Sequence, residues 1–176
     1  MNKIFGIGLT RTATTSLEDA LNLLGIPTVH WISEEMFEHA LSRYTAVLDM
    51  PVTTRYKALD RRFPGSKFVH TVRDLEGWLD SCRRWFGSHP PDELKERYRV
   101  ELYGIRHFDP EVFRKVYHRH HSEIAAHFKG RPEDLLTLDI CKGEGWEKLV
   151  PFIGSENISR PLRPGAPFPH SNSNDA

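Results

Sequence analysis

The chain has 176 residues, with 24 Lys and Arg against 24 Asp and Glu, so its formal charge is zero. That balance supplies no global field to draw in nucleic acid or an anionic membrane, and any anion site must be local. The length suits one domain with a single core, and no apolar run approaches the roughly 20 residues of a membrane span.

Met1 to Leu9 is too short and glycine-broken to serve as a signal peptide. Cys82 and Cys141 make no disulfide framework and read as free thiols of a reducing compartment, which points to a cytoplasmic protein.

Asn2 to Ile7 is a short strand-like run. Ser16 to Leu24 carries Leu17, Ala20, Leu21 and Leu24 at the i, i+3, i+4, i+7 spacing of a helix buried on one face. Strand, tight loop and helix bring backbone N–H groups and a helix N-terminus together on one anion. Laid on the phosphate-loop pattern G-x-x-x-x-G-K-[ST], Gly8 and Thr15 fit, Ala13 replaces the second glycine, and Thr14 stands in the lysine's place. Arg11 is the loop's only cation. The loop therefore reads as a phosphate cradle for something other than ATP. A dinucleotide fingerprint fails for want of a small third residue and of an acidic residue about 20 positions on. An ordinary βα turn is the remaining alternative.

Thr28 to Ile32 and Tyr44 to Leu48 read as strands, the second ending at Asp49-Met50-Pro51 before a helix from Thr53 to Arg62. Lys67 to Val72 is a β-branched and aromatic strand ending at Arg73, and Asp74 is the N-cap of a helix with Leu75, Trp78, Leu79, Cys82 and Phe86 on its apolar face. Asp92 to Ile105 is a charged helix. Asp109-Pro110 opens another, which buries Phe113, Val116, Tyr117 and Ile124 and stops at Gly130. Leu135 to Ile140 is the last strand, followed by a short helix from Gly145 to Phe152. The alternation predicts an α/β fold of three layers, a mainly parallel sheet flanked by helices. Residues 1–154 form that domain. Residues 155–176 are irregular, with Pro161, Pro164, Pro167 and Pro169, and Ser171 to Ala176 is expected to fray. Ligands of such sheets sit beyond the carboxyl ends of the strands, where the Gly8 to Thr15 loop, Asp49 and Arg73 all fall.

Ile4 to Leu17 resembles the 5′-phosphosulfate loop of the sulfotransferase family, whose fold is P-loop NTPase-like. Lys67 to Ser81 resembles that family's 3′-phosphate segment, in which a strand ends in arginine and a serine follows eight residues later on the next helix. Arg73 and Ser81 have that spacing. Gly145 to Gly154 is similar to a late helix of small bacterial members. The resemblance implies the cofactor 3′-phosphoadenosine 5′-phosphosulfate (PAPS), and transfer of its sulfonate to the hydroxyl or amine of a small-molecule, glycan or lipid acceptor, with no metal required.

Under that resemblance Gly8, Thr10, Arg11, Thr12, Ala13, Thr14 and Thr15 hold the 5′-phosphate. Arg73 and Ser81 take the 3′-phosphate that ATP lacks, and Arg11 neutralises charge between the sulfonate and its leaving oxygen. Arg11 stands where lysine is usual and Ala13 where glycine is usual, so a left-handed backbone at Ala13 would be strained. Asp49 aligns with the histidine that the family uses as base; the competing reading is a capping aspartate. His30 is the second candidate, against a packed, hydrogen-bonded histidine. Trp31 is read either as a stacking surface or as core. His118 and His121 share a helix spacing that suggests metal, but no Cys or Glu completes a set and a solvated basic face is expected. Trp31 to Arg43 and Gly87 to Phe108 are expected to cover the acceptor mouth. Two other functions stay open, an ATP-dependent phosphotransferase and a non-catalytic nucleotide-binding module; oligomeric state is not legible.

Overall fold

The computed structural model describes residues 2–88 and 92–171. Its sheet is built from β1 (Ile4–Gly6), β2 (Thr28–His30), β3 (Ala46–Leu48), β4 (Lys67–Thr71) and β5 (Leu135–Leu138). The strand order is β2-β3-β1-β4-β5 and every pairing is parallel. The helices are α1 (Thr14–Leu23), α2 (Glu34–Arg43), α3 (Val52–Arg62), α4 (Leu75–Ser88), α5 (Glu93–Tyr103), α6 (Pro110–His127) and α7 (Trp146–Ile153).

Strict alternation along the strands feeds two cores. Ile4, Ala46, Leu48, Val69 and Leu138 face α1 and α7, whose Leu17, Leu21, Leu149 and Ile153 are buried against them. Phe5, Ile7, Val47 and Phe68 face the other way, onto Phe37 of α2, Val52, Tyr56 and Leu59 of α3, and Ile124 and Phe128 at the end of α6. The sheet is thus the middle of three layers. A third cluster lies past the strand ends, where Trp78, Leu79 and Cys82 of α4 meet Tyr98, Leu102 and Tyr103 of α5, Phe113 of α6, and Leu9 and Met50. It forms a roof over the carboxyl edge of the sheet.

Local chemistry accounts for several boundaries. Asp74 caps α4 by accepting from Gly77 N–H at 2.8 Å, Asp92 caps α5 through Lys95 N–H, and Asp109 caps α6 through Glu111 and Val112 N–H. Several strands are shorter than expected, and two boundaries shift at the carboxyl edge of the sheet. α1 starts at Thr14 rather than Ser16, so Thr14 and Thr15 belong to its first turn. β5 ends at Leu138, and Asp139 caps a short 3₁₀ turn over Ile140–Lys142. The segment Glu34 to Arg43, expected over the acceptor mouth, is a helix packed by Phe37, Ala40 and Leu41 against the sheet. Ser171, expected to fray, is hydrogen-bonded to Ser16; residues 172–176 lie outside the described residues. No helix among the described residues is long and apolar enough to cross a membrane.

His121 and His127 of α6 depart from the expected solvated face, whereas His120 lies on the apolar side of the helix. His121 stacks on Tyr117 at 4.0 Å between ring centroids and lies 4.7 Å from the ring of His70 on β4. His120 is buried and reaches the Ile7 carbonyl at 2.8 Å. His127 contacts Asp60 at 2.8 Å. Only His118 of this group is exposed. Burial holds His70, His120 and His121 below the ordinary histidine range, His120 down to about 4. The three are therefore neutral when folded and titrate near 6.5 when unfolded. Their stability is complete above that pH and is lost as pH falls through it toward the folded values. At pH 5, His120 alone should cost about 2 kcal/mol. Urea melts should show the midpoint dropping between pH 7.5 and 5; a flat midpoint over that interval contradicts the buried neutral cluster.

Candidate functional site

β1 ends one residue before its ladder does, since Ile7 N–H still donates to Val69 at 2.9 Å. Gly8 then passes against the end of β4. A Cβ there would sit 1.9 Å from Thr71 Oγ1 and 2.7 Å from the Thr71 carbonyl, so no other residue fits. The Thr12 hydroxyl donates to the Leu9 carbonyl at 2.7 Å and pairs with Thr71 Oγ1 at 2.7 Å. Thr53 Oγ1 donates to the Gly8 carbonyl at 3.1 Å, and Trp78 Nε1–H of α4 donates to the Thr10 carbonyl at 2.9 Å. Strand, helix and roof therefore fasten the loop from three directions. Gly8 and Thr12, both expected to hold phosphate, serve this foundation, and the Thr12 side chain is fully buried.

The remaining predicted residues surround one cavity of about 480 Å³, lined by Thr10, Arg11, Ala13, Thr14, Thr15, His30, Asp49, Arg73 and Ser81. That volume lies within the roughly 300–1,000 Å³ of small-molecule sites. Thr14 and Thr15 open α1, whose first-turn N–H groups have no intrahelical acceptors and carry the positive end of the helix dipole. Sequence reasoning missed Ile140 and Cys141 on the turn after β5, Lys95 on α5, and His170 and Ser171. The strand-end rule could have found the first two. His170 carries no local signal at all.

The cavity is electrically divided. At its β2–β3 end Asp49 is buried, with Oδ2 accepting from Thr14 Oγ1 at 3.0 Å and Oδ1 from Met50 N–H at 2.8 Å. The capping reading of Asp49 does not hold, because α3 begins at Val52 behind Pro51 with no side-chain cap. His30 sits between two carboxylates, Nε2 at 3.3 Å from Asp49 and Nδ1 at 3.4 Å from Glu18. Burial opposes its protonation, but the Asp49 contact and the charges of Asp49, Glu18 and Asp19 outweigh it and raise its pKa. At the β4–β5 end stand Arg73 and, beneath α4, Arg11 with its Nε donating to Ser81 Oγ at 3.1 Å. Ser81 thus anchors Arg11 as well as lining the cavity. Burial lifts the Cys141 thiol, and Arg73 opposes the shift.

Backbone strain is gathered at the same place. Among the described residues, Arg11, Ala13, Trp31 and Asp49 are the non-glycine positions with positive φ, at 73°, 66°, 56° and 62°. All four line the cavity. Left-handed conformations cost such residues of order 1 kcal/mol or more and persist where surrounding structure imposes them, most often at binding and catalytic sites. Trp31 meets both sequence readings in part: it faces the cavity while its ring stands edge-on to Tyr98 at 5.4 Å. His118 and His121 take part in no metal-ligating group among the described residues.

A five-stranded parallel sheet flanked by helices, with a glycine-started loop, a helix N-terminus and arginines at a cavity on its carboxyl edge, is an α/β fold of the P-loop-like type. A sequence model described as a sulfotransferase domain matches residues 3–36 and 31–176, so the chain belongs to the sulfotransferase domain family. A search of curated proteins finds none that matches it.

Ala13 gives a direct check on the strain. Glycine relieves the left-handed backbone but adds unfolded-state entropy, two effects of about 1 kcal/mol that oppose each other. Ala13→Gly should stay within about 1 kcal/mol of the parent in chemical denaturation, whereas Ala13→Val should lose about 2 kcal/mol. Equal losses for both variants would contradict a left-handed residue 13.

Proposed function

We propose that the chain transfers the sulfonate of PAPS to a hydroxyl or amine acceptor. Membership of the sulfotransferase domain family supports sulfonate transfer. The single observation that carries the donor assignment is the convergence of the loop, Arg11 and Arg73 on one cavity with the first turn of α1. Those groups suit a doubly phosphorylated nucleotide: first-turn amides with Thr14 and Thr15 for the 5′-phosphate, and the Arg73 guanidinium for the 3′-phosphate. When bound, PAPS supplies an activated sulfonate that carries less charge than a γ-phosphoryl group and depends less on a magnesium clamp.

The chain's own residues then divide the work. Arg11, anchored by Ser81, keeps a permanent positive charge at the loop, because a guanidinium stabilises charge without giving up its proton. Asp49 is the first candidate to orient the acceptor and receive its proton. His30, 3.3 Å from Asp49, is the second.

A second reading has one observation in its favour. The 3.0 Å bond from Thr14 to Asp49 joins a loop threonine to a carboxylate at the end of the neighbouring strand. P-loop NTPases hold magnesium between groups of these types, so an ATP-dependent phosphotransferase is the alternative. Binding without turnover would leave a nucleotide-binding module.

Thermal melts separate these readings. Adenosine 3′,5′-bisphosphate at 100 times its dissociation constant adds about 2.7 kcal/mol, roughly 5–10 °C for a domain of this size. That shift should appear with the bisphosphate, stay small with ADP, and vanish in Arg73→Ala. A shift with ATP and magnesium alone would establish the alternative and overturn the sulfonate donor.

A further inference from the structure

Beyond Gly154 the chain turns back along α1 and is fastened at both of that helix's ends. Ser159 and Arg160 donate their N–H groups to the Leu24 carbonyl at 3.1 and 3.0 Å, and Ser159 Oγ donates to Gly25 at 2.7 Å. Ile158, Leu162 and Phe168 pack on the α1–α7 core. Trp146 Nε1–H donates to the Ala166 carbonyl at 3.0 Å, and its ring lies 4.6 Å from that of Phe168. At the far end Ser171 N–H donates to Ser16 Oγ at 3.0 Å and the Ser171 hydroxyl bonds Asp19. Proline at 161, 164, 167 and 169 fixes φ along this path, which lowers the entropy lost in holding an irregular segment in place.

The destination of the segment is informative. His170 and Ser171 line the cavity together with Ile140, Cys141 and Arg73, and the segment arrives there past Gly145, just after the Ile140–Lys142 turn, where Phe168 packs. An anionic nucleotide pinned at the start of α1 has two directions in which to extend. Toward β2 and β3 it meets buried Asp49, with Glu18 behind His30. Toward β4 and β5 it meets Arg73 and a wall of Ile140, Cys141 and His170. Charge directs it to the second.

Resting on the sulfonate-donor reading above, we infer that the C-terminal segment forms the outer wall of the nucleoside half of the donor site, with His170 facing the nucleoside. The imidazole offers a ring face and a hydrogen-bonding nitrogen to a purine and its ribose, while the Ser171–Ser16 clasp holds the wall at the loop. The acceptor is left to the opposite end, beside Asp49, His30 and Trp31.

Calorimetric titration of the full chain with two probes tests this. Adenosine 3′,5′-bisphosphate fills both the phosphate and nucleoside subsites, and inorganic pyrophosphate fills only the former. His170 is exposed, so His170→Ala leaves the core intact. It should weaken the bisphosphate about tenfold and leave pyrophosphate within twofold, an effect comparable to loss of one aromatic contact to a base. Disrupting the clasp by Asp19→Ala should weaken the bisphosphate in the same probe-selective way. Hydrogen exchange at residues 166–171 should slow when the bisphosphate binds the parent chain and remain unchanged with pyrophosphate. Unchanged bisphosphate affinity in both variants, or equal weakening of both probes, would overturn the wall. A parent chain that binds no bisphosphate fails at the donor reading itself, a result distinguishable because no variant is then needed to see it.

Discussion

Gly8 crosses the end of β4 with no room for a Cβ beside Thr71, and the geometry of the whole site descends from that crossing. The next five residues, Leu9 to Ala13, carry the chain past Thr71 to the start of α1. The path is short, and Arg11 and Ala13 complete it in left-handed conformations. Buried groups on three sides then hold it: Thr71 below, Thr53 behind and the Trp78 indole from the roof. For the proposed donor site this fastening matters, because an anion cradle needs amides already aimed before the ligand arrives.

Fastening the loop also distributes the charges. Pairing of β1 with β3 places Asp49 against Thr14 on one side of the loop, and pairing with β4 places Arg73 on the other. A neutral chain thus acquires a cavity with a carboxylate–imidazole end and a guanidinium end. Under the proposed function, the guanidinium end would hold the polyanionic donor and the carboxylate–imidazole end would handle the acceptor's proton. The four positive-φ residues mark where the fold gives up stability to keep these groups in position.

Much of this was legible because the signals are local. Alternating strands and helices announced a parallel α/β sheet, and the residues after β1, β3 and β4 were recognisable as strand-end positions. The loop pattern marks Gly8 and Thr12 as part of a phosphate loop, but their contact with Thr71 on a distant strand carries no local signal. The start of α1 at Thr14 escaped notice because Ala13 caps the helix by its left-handed backbone and not by a side chain. His121 was expected in solvent, but a partner on β4, His70, covers it. His170 was invisible for the most physical reason: proline-rich irregular sequence carries no periodicity, and its docking is set by Leu24, Trp146 and Ser16 far away in the chain.

The central claim is that Arg73 and the loop together read a nucleotide with phosphates at both ends of its ribose. Its most direct test is the ratio of dissociation constants for adenosine 5′-monophosphate and adenosine 3′,5′-bisphosphate, measured by calorimetry in the presence of a chelator. The two ligands differ only in the 3′-phosphate, so the ratio isolates that group. The bisphosphate should bind at least about tenfold more tightly, close to 1.4 kcal/mol for one charge-assisted contact. Equal affinities would contradict the assignment of a 3′-phosphate site to Arg73.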